Sequence, residues 1–215
     1  MGRMMNQLAL VCSVATVVIG ADGCKSSQQA GGPHNAMKRG AATLTDSDVR
    51  LILDNAAHAA EAEKSLVRVG ADGKPATTRM HIVVMNRSGS VKGRISMPDA
   101  WTGSLQIATS KAWTAASFSS DENALTTRSI GALSQPGGPL WQIGNIHHGL
   151  FDQSAVEFPG GLPLYKDGVL VGGIGVSGDG VDQDEAVAKA GTLGYEPREE
   201  IRIDKVTEGK VPYVK

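Results

Sequence analysis

Cysteine is almost absent from this chain: Cys12 and Cys24 are the only two in 215 residues, and both lie near the N-terminus. A disulfide stapling the body of the protein is therefore excluded. With no C-x-x-C pair, so are a zinc ribbon and a redox dithiol. Aromatic residues make up 4% of the chain, so the core has to be built from Ala, Val, Ile and Leu. Excess charge is missing as well. The formal net charge of −1 supplies no basic field to attract nucleic acid, which is not expected as a partner. No H-E-x-x-H or similar metal-ligand spacing occurs, and Ser177 in G-V-S-G-D lacks the final glycine of a nucleophile elbow. Glycine, by contrast, is plentiful at 27 residues, and the 41% hydrophobic and 20% charged fractions are those of an ordinary globular protein. The length allows one sizeable core or at most two small ones.

The first forty residues differ from the rest. Arg3 precedes the uncharged apolar run Leu8 to Ala21, which has the length of a signal-peptide core and falls short of the ~20 residues a bilayer span requires. Small residues then lead into Cys24 and the polar "KSSQQAGGP". A small residue before a cysteine, directly after such a run, resembles a bacterial lipoprotein signal, with Cys24 as the lipidated residue. The expected organisation is a signal peptide over 1–23, a flexible tether over 24–42, a folded domain over 43–195 and a C-terminal extension over 196–215. Export to the periplasm or cell envelope follows, with the membrane as a partner through the anchor if Cys24 is modified.

From Thr43 the pattern turns globular. Thr45 and Asp48 form a capping box ahead of Val49, Ile52, Leu53, Ala56, Ala57 and Ala60 at helical spacing. Arg68 to Arg79 reads as a turn-rich connection, with Asp72-Gly73 and Pro75 as breakers. "MHIVVMN" and "VKGRISM" around "RSGS" predict a hairpin, and Leu105, Ala108, Ala112, Ala115 and Ala116 predict a second helix capped by Thr102 or Ser104. A short helix capped by Ser120 or Asp121 is expected next, then two or three strands broken at Pro159-Gly160-Gly161 and Asp167-Gly168. "VDQDEAVAKAGTLGY" is a further helix with Asp182, Asp184 and Glu185 at its positive end. The tail beyond Pro197 alternates like a strand. This order predicts an α+β fold: a single antiparallel sheet of about five strands packed with helices.

One glycine cluster invites another reading. "GGIGVSGDG" contains G-x-G-x-x-G at Gly173, Gly175 and Gly178, between an apolar run and a helix, as in a dinucleotide-binding loop. The preceding run is the second arm of a predicted hairpin, and too little chain follows for the crossovers such a fold needs. The glycines are better read as permitting close helix–sheet packing.

"PDAWTGSLQIATSKAWTAASF", "QPGGPLW", "EFPGGLPLYKDGVLVGGIGVSG" and "DQDEAVAKAG" resemble, in order and spacing, the GlcG/HbpS family of haem-binding-like domains, which includes the C-terminal domain of PduO-type proteins. The resemblance runs from about Leu44 to Gly194. It implies a GlcG/HbpS-like antiparallel sheet with helices, a homo-oligomer, and haem or a related tetrapyrrole as a possible cofactor. Three features depart from the family pattern: the long connection Ser65 to Arg79, the tail after Tyr195, and "RISMPDAW", in which Arg94 and Asp99 are respaced.

The residues that carry a possible site are few. His147 and His148 in "NIHHGLF" could ligate haem iron through a neutral imidazole, with Gly149 and Phe151 allowing close approach. Lys111, on the small-residue helix, could contact a propionate or a substrate carboxylate, and so could Arg94. Glu157, ahead of a tight turn, could be aimed into a cleft. His58 and His81 read as structural. The leading expectation is an exported small-ligand-binding protein for haem. The alternatives are an enzyme acting on a small carboxylate through Lys111, Glu157 and a histidine, or an oligomeric scaffold without a ligand.

Overall fold

The computed structural model describes residues 42–142 and 154–215. The apolar run, Cys24, the tether, His147 and His148 lie outside them. The first helix, α1 (Asp46–Ala62), begins as its sequence requires: Thr45 accepts a hydrogen bond from the Asp48 amide, and the Asp48 side chain accepts from the Thr45 amide. Two short strands follow, β1 (Lys64–Val69) and β2 (Pro75–Thr77), paired as a separate ribbon. Then come the hairpin β3 (His81–Asn86) and β4 (Val91–Ser96), the helices α2 (Ser104–Ser117) and α3 (Thr127–Leu133), the hairpin β5 (Gly161–Lys166) and β6 (Val169–Ser177), and α4 (Val181–Gly191).

The main sheet has four antiparallel strands in the order β4-β3-β6-β5. The α+β class and antiparallel sheet are as expected, but the strand count differs. Four strands form one sheet, and Ser65 to Arg79 contributes the extra ribbon instead of an irregular link. The ribbon hid from hydrophobic patterning because Leu66 and Val69 point outward, at 70% and 71% exposure. Its turn is nonetheless well specified: Gly73 takes a positive φ, and the Asp72 carboxylate accepts from the Lys74 amide.

Three other local expectations are corrected. No side chain caps α2, whose N-cap is Gly103. Thr126, and not Ser120 or Asp121, caps α3 through a reciprocal bond with Ser129; Ser120 instead accepts from the amides of Glu122 and Asn123. The tail forms a 3-10 turn (Glu199–Ile201) and one helical turn, α5 (Ile203–Val206), with a single bridge to Ala124 in place of a strand. Its anchors are Ile201 and Tyr213, which pack on Tyr165 and Leu170.

Cross-strand register explains how the layers form. Gly93, Val84, Ile174 and Leu162 lie in one row across the sheet. The last three join the core formed with Ile52, Leu53 and Ala56 of α1 and Val187 and Ala188 of α4. In the next row stand Arg94, Val83, Gly175 and Gly161, and this face receives α2 through Ala108 and Ala112. A Cβ on Gly175 would lie 2.0 Å from the Ala108 carbonyl oxygen, and one on Gly173 2.4 Å from that of Ala112. These two residues of the G-x-G-x-x-G string are thus inside a strand, making room for a helix.

Candidate functional site

The chemistry concentrates where the C-terminal end of β6 meets the N-terminus of α4. Lys111 sits on α2 among alanines because its side chain has somewhere to go. It leaves the helix next to Gly160, where a side chain would block its ammonium. Its Nζ donates to the Val176 carbonyl at 2.9 Å and to the Asp184 carboxylate at 2.7 Å. Both side chains are buried, at 0% and 3% exposure. Burial pushes Lys111 below its ordinary value and Asp184 above it, and each partner's charge opposes the other's shift. The Phe158 ring closes the site, with its centroid 5.3 Å from the ammonium.

Around this pair the first turn of α4 is neutralised residue by residue. Arg128 of α3 binds Glu185 through Nε at 2.9 and 3.0 Å and Asp182 through Nη2 at 2.9 Å. Lys215 also binds Asp182 through its ammonium, and its amide donates to Glu185. Asp182, Asp184 and Glu185 therefore face three cations, and no group of three His, Cys, Asp or Glu side chains among the described residues is arranged to hold a metal.

Phe158 has a second face. It is 42% exposed and helps line a cavity of about 450 Å³ with Ser134, Trp141, Gln142, Ala155, Val156 and Glu157. The wall holding Glu157 is fixed at two points. The Val156 amide donates to Thr114 of α2 at 3.0 Å. Gly131 of α3 admits the Glu157 carbonyl at a distance that no Cβ would tolerate. Trp141 and Phe158 give the cavity two aromatic surfaces suited to a flat ligand, and Trp141 is itself 53% exposed.

The expected site residues thus separate. Glu157 lines the cavity, and Lys111 lies behind Phe158 with its charge already matched by Asp184. Arg94 is exposed on the edge strand β4, three strand spacings from Gly161, roughly 14 Å at ~4.8 Å each. His147 and His148 lie outside the described residues, in the segment that joins Gln142 to Ser154. His81 is structural, as read: it is buried, and its ring nitrogens meet Ser96 Oγ at 2.8 Å and the Trp101 carbonyl at 2.9 Å. The carbonyl can only accept, so Nε2 carries a proton. His58 lies exposed in a groove with Asn55, Lys189 and Leu193. Sequence reasoning missed Asp184 as the partner of Lys111, and Trp141 and Phe158 as cavity walls. A lysine on an all-small helical face was the available signal, since a buried ammonium requires a carboxylate.

A family model described as haem degrading protein HbpS-like matches residues 44–192. Among curated proteins, the corrinoid adenosyltransferase PduO of Salmonella typhimurium is 37% identical over 93 residues, which are 43% of this chain and 25% of PduO. The chain therefore spans about a quarter of that relative. Among solved structures, a complex of PduOC with haem aligns with a TM-score of 0.57 and 25% identity over 71% of this chain and 95% of its own. A double mutant of Streptomyces reticuli HbpS aligns with a TM-score of 0.54 and 22% identity over 79% and 97%, a likeness of fold.

Proposed function

This chain belongs to the HbpS-like family, and from that premise we propose that it is a small-ligand-binding protein whose ligand is haem or a related tetrapyrrole. The observation that carries the reading is the cavity walled by Trp141 and Phe158, with the haem complex of PduOC as a chemical precedent. The residues present suit such a group. Two aromatic surfaces and Val156 offer stacking and apolar contact, and Glu157 adds a charged residue to the lining. A bound haem would contribute its iron, and His147 or His148 is proposed as the imidazole that holds it. Phe158 screens Lys111 from the cavity. A propionate could reach that ammonium only by competing with Asp184, so the lysine's role in this reading is to fix Phe158 and the wall behind the ligand.

Two further proposals complete the reading. Export with lipidation at Cys24 rests on the apolar run and the small residues before the cysteine. A homo-oligomer is supported by the family resemblance and by the exposed Leu66 and Val69.

Titrating the full-length chain with haemin tests the main proposal. A Soret shift with quenching of Trp141 fluorescence is expected, with the shift reduced in His147→Ala or His148→Ala and the quenching reduced in Trp141→Phe. Absence of any shift at excess haemin would sink it. Incorporation of a fatty-acid probe that is abolished by Cys24→Ala tests the anchor.

A further inference from the structure

At the opposite end of β6 from the Lys111–Asp184 pair lies a cavity of about 720 Å³ that the haem reading does not use. Its apolar side is made by Leu44, Val169, Leu170 and Val171, and its polar side by Arg87, Lys92 and Asp121. Arg87 opens the β3–β4 turn, and that turn is rigidly built. The Asn86 side chain accepts from Ser88 and from the Ser90 amide, and the Arg87 amide donates to the Val171 carbonyl at 2.9 Å. The guanidinium is held in place as well. Its Nη1 donates to Asp121 at 2.7 Å and to the Leu170 carbonyl at 3.4 Å. Asp121 is fixed in turn by the Leu170 amide at 2.9 Å. Among the described residues both side-chain bonds of Arg87 use one nitrogen, which leaves N–H donors at Nε and Nη2. Asp121 matches one of the two cations on this rim, and the exposed Lys92 leaves the rim one positive charge in excess.

The geometry points to a second ligand site, one for an organic anion with a carboxylate or phosphate head and an apolar body. The head is read by Arg87 and Lys92, and the body lies on Val169 and the edge of Leu44, with the buried Leu170 and Val171 beneath them. A fixed guanidinium favours such a head because little side-chain freedom is lost when the ligand arrives. The apolar side supplies the part of the affinity that an inorganic anion cannot gain.

Calorimetric titration of the full-length chain with octanoate, octyl phosphate, inorganic phosphate and neutral octanol tests the assignment. One or both amphipathic anions should bind, and the preferred head identifies the source. Octanol and inorganic phosphate should each bind about tenfold more weakly or worse, since a hydrogen bond to a charged group or the apolar contact is missing. Lys92→Gln, on an exposed strand residue, should weaken anion binding without affecting octanol, and Val169→Asp should weaken it further by opposing the head. Haemin titrations run alongside should not change in either variant. Equal affinity for octanol and octanoate, insensitivity to both substitutions, or no binding by either amphipathic anion overturns the proposal.

Discussion

The two faces of the central sheet are packed by opposite means. Toward α1 and α4 the strands present Ile82, Val84, Leu162, Leu164, Ile174 and Val176, and space is filled by aliphatic volume. Toward α2 the corresponding row offers Val83 and then Gly175 and Gly161, and close packing comes from missing side chains. The contrast explains the unusual composition. A chain with few aromatics packs one face with branched residues and brings the helix of the other face almost onto the strand backbone. Close approach has a chemical consequence too. It carries the root of Lys111 near enough to the end of β6 for its ammonium to meet Val176 and then Asp184.

The largest effect should come from breaking the glycine face. Gly175→Ala places a methyl 2.0 Å from the Ala108 carbonyl and 2.4 Å from the Ala112 amide nitrogen. Neither atom can move without moving α2. Overpacking of this kind, forced onto backbone, is expected to cost about 4 kcal/mol or more. Chemical denaturation followed by far-UV circular dichroism measures it. A loss below about 1 kcal/mol would mean that α2 floats on the sheet, and the contrast between the faces would collapse.

Next in size is the pair that ties the two helical layers together. Lys111→Met leaves Asp184 buried without its cation and should destabilise by about 3–5 kcal/mol, whereas the double variant Lys111→Met with Asp184→Leu should recover most of the loss. A double variant no more stable than the single one would show that Asp184 matters beyond the pair, through the bond its Oδ1 accepts from the Asp179 amide at 3.1 Å.

How much of this was legible beforehand depends on what each feature needed. The helix α1, both sheet hairpins and the packing role of Gly173 and Gly175 followed from periodicity, turn chemistry and a capping box, all local signals. The Asp167-Gly168 turn is the plainest case, since both residues take positive φ. The ribbon β1–β2 was not legible, because its apolar residues face outward and its alternation carries no core signal. The site was half legible. Lys111 and Glu157 stood out by type and context. Asp184 did not, because a carboxylate in the first turn of a helix already has a local explanation, and only the fold brings it to α2. Trp141 and Phe158 come from different segments that no spacing rule connects.

The aliphatic face should respond to substitution in a graded way. Ile174→Ala removes volume from the centre of the row formed by Val84, Ile174 and Leu162, at a cost of about 2–4 kcal/mol depending on how far α1 and α4 relax. Ile174→Val should cost about 1 kcal/mol. That continuity is the sharper test: a face filled by volume scales with methylenes removed, while a face filled by absence fails on the first methyl added. Equal losses for Ile174→Val and Gly175→Ala would contradict the distinction.

A modest effect concerns the ionic tie on the aliphatic side, which is the open counterpart of the buried pair. Asp48 of the α1 capping box accepts from Lys166 at 2.7 Å and from the Tyr195 hydroxyl at 2.7 Å, with side-chain exposures of 33% for the lysine and 12% for the aspartate. Burial would raise this carboxyl, but the bonds from Lys166, Tyr195 and Thr45 outweigh it and hold the group well below the usual carboxylate range. Burial and the same carboxylate push the Tyr195 hydroxyl up to about 12. A carboxyl depressed in the native state binds fewer protons there than in the unfolded chain. Its stabilisation is therefore complete above the unfolded value of about 4 and fades as pH falls toward the folded one. Asp48→Asn should cost about 1–2 kcal/mol at neutral pH, discounted for partial exposure of the lysine. The gap between variant and parent should narrow progressively below about pH 4. Lys111→Met should show no such narrowing in that range, since burial raises Asp184 where the surface tie depresses Asp48. Stability curves for both variants from neutral pH to about pH 3 would separate the two ties, and parallel curves would mean that the charge of Asp48 contributes nothing to the native state.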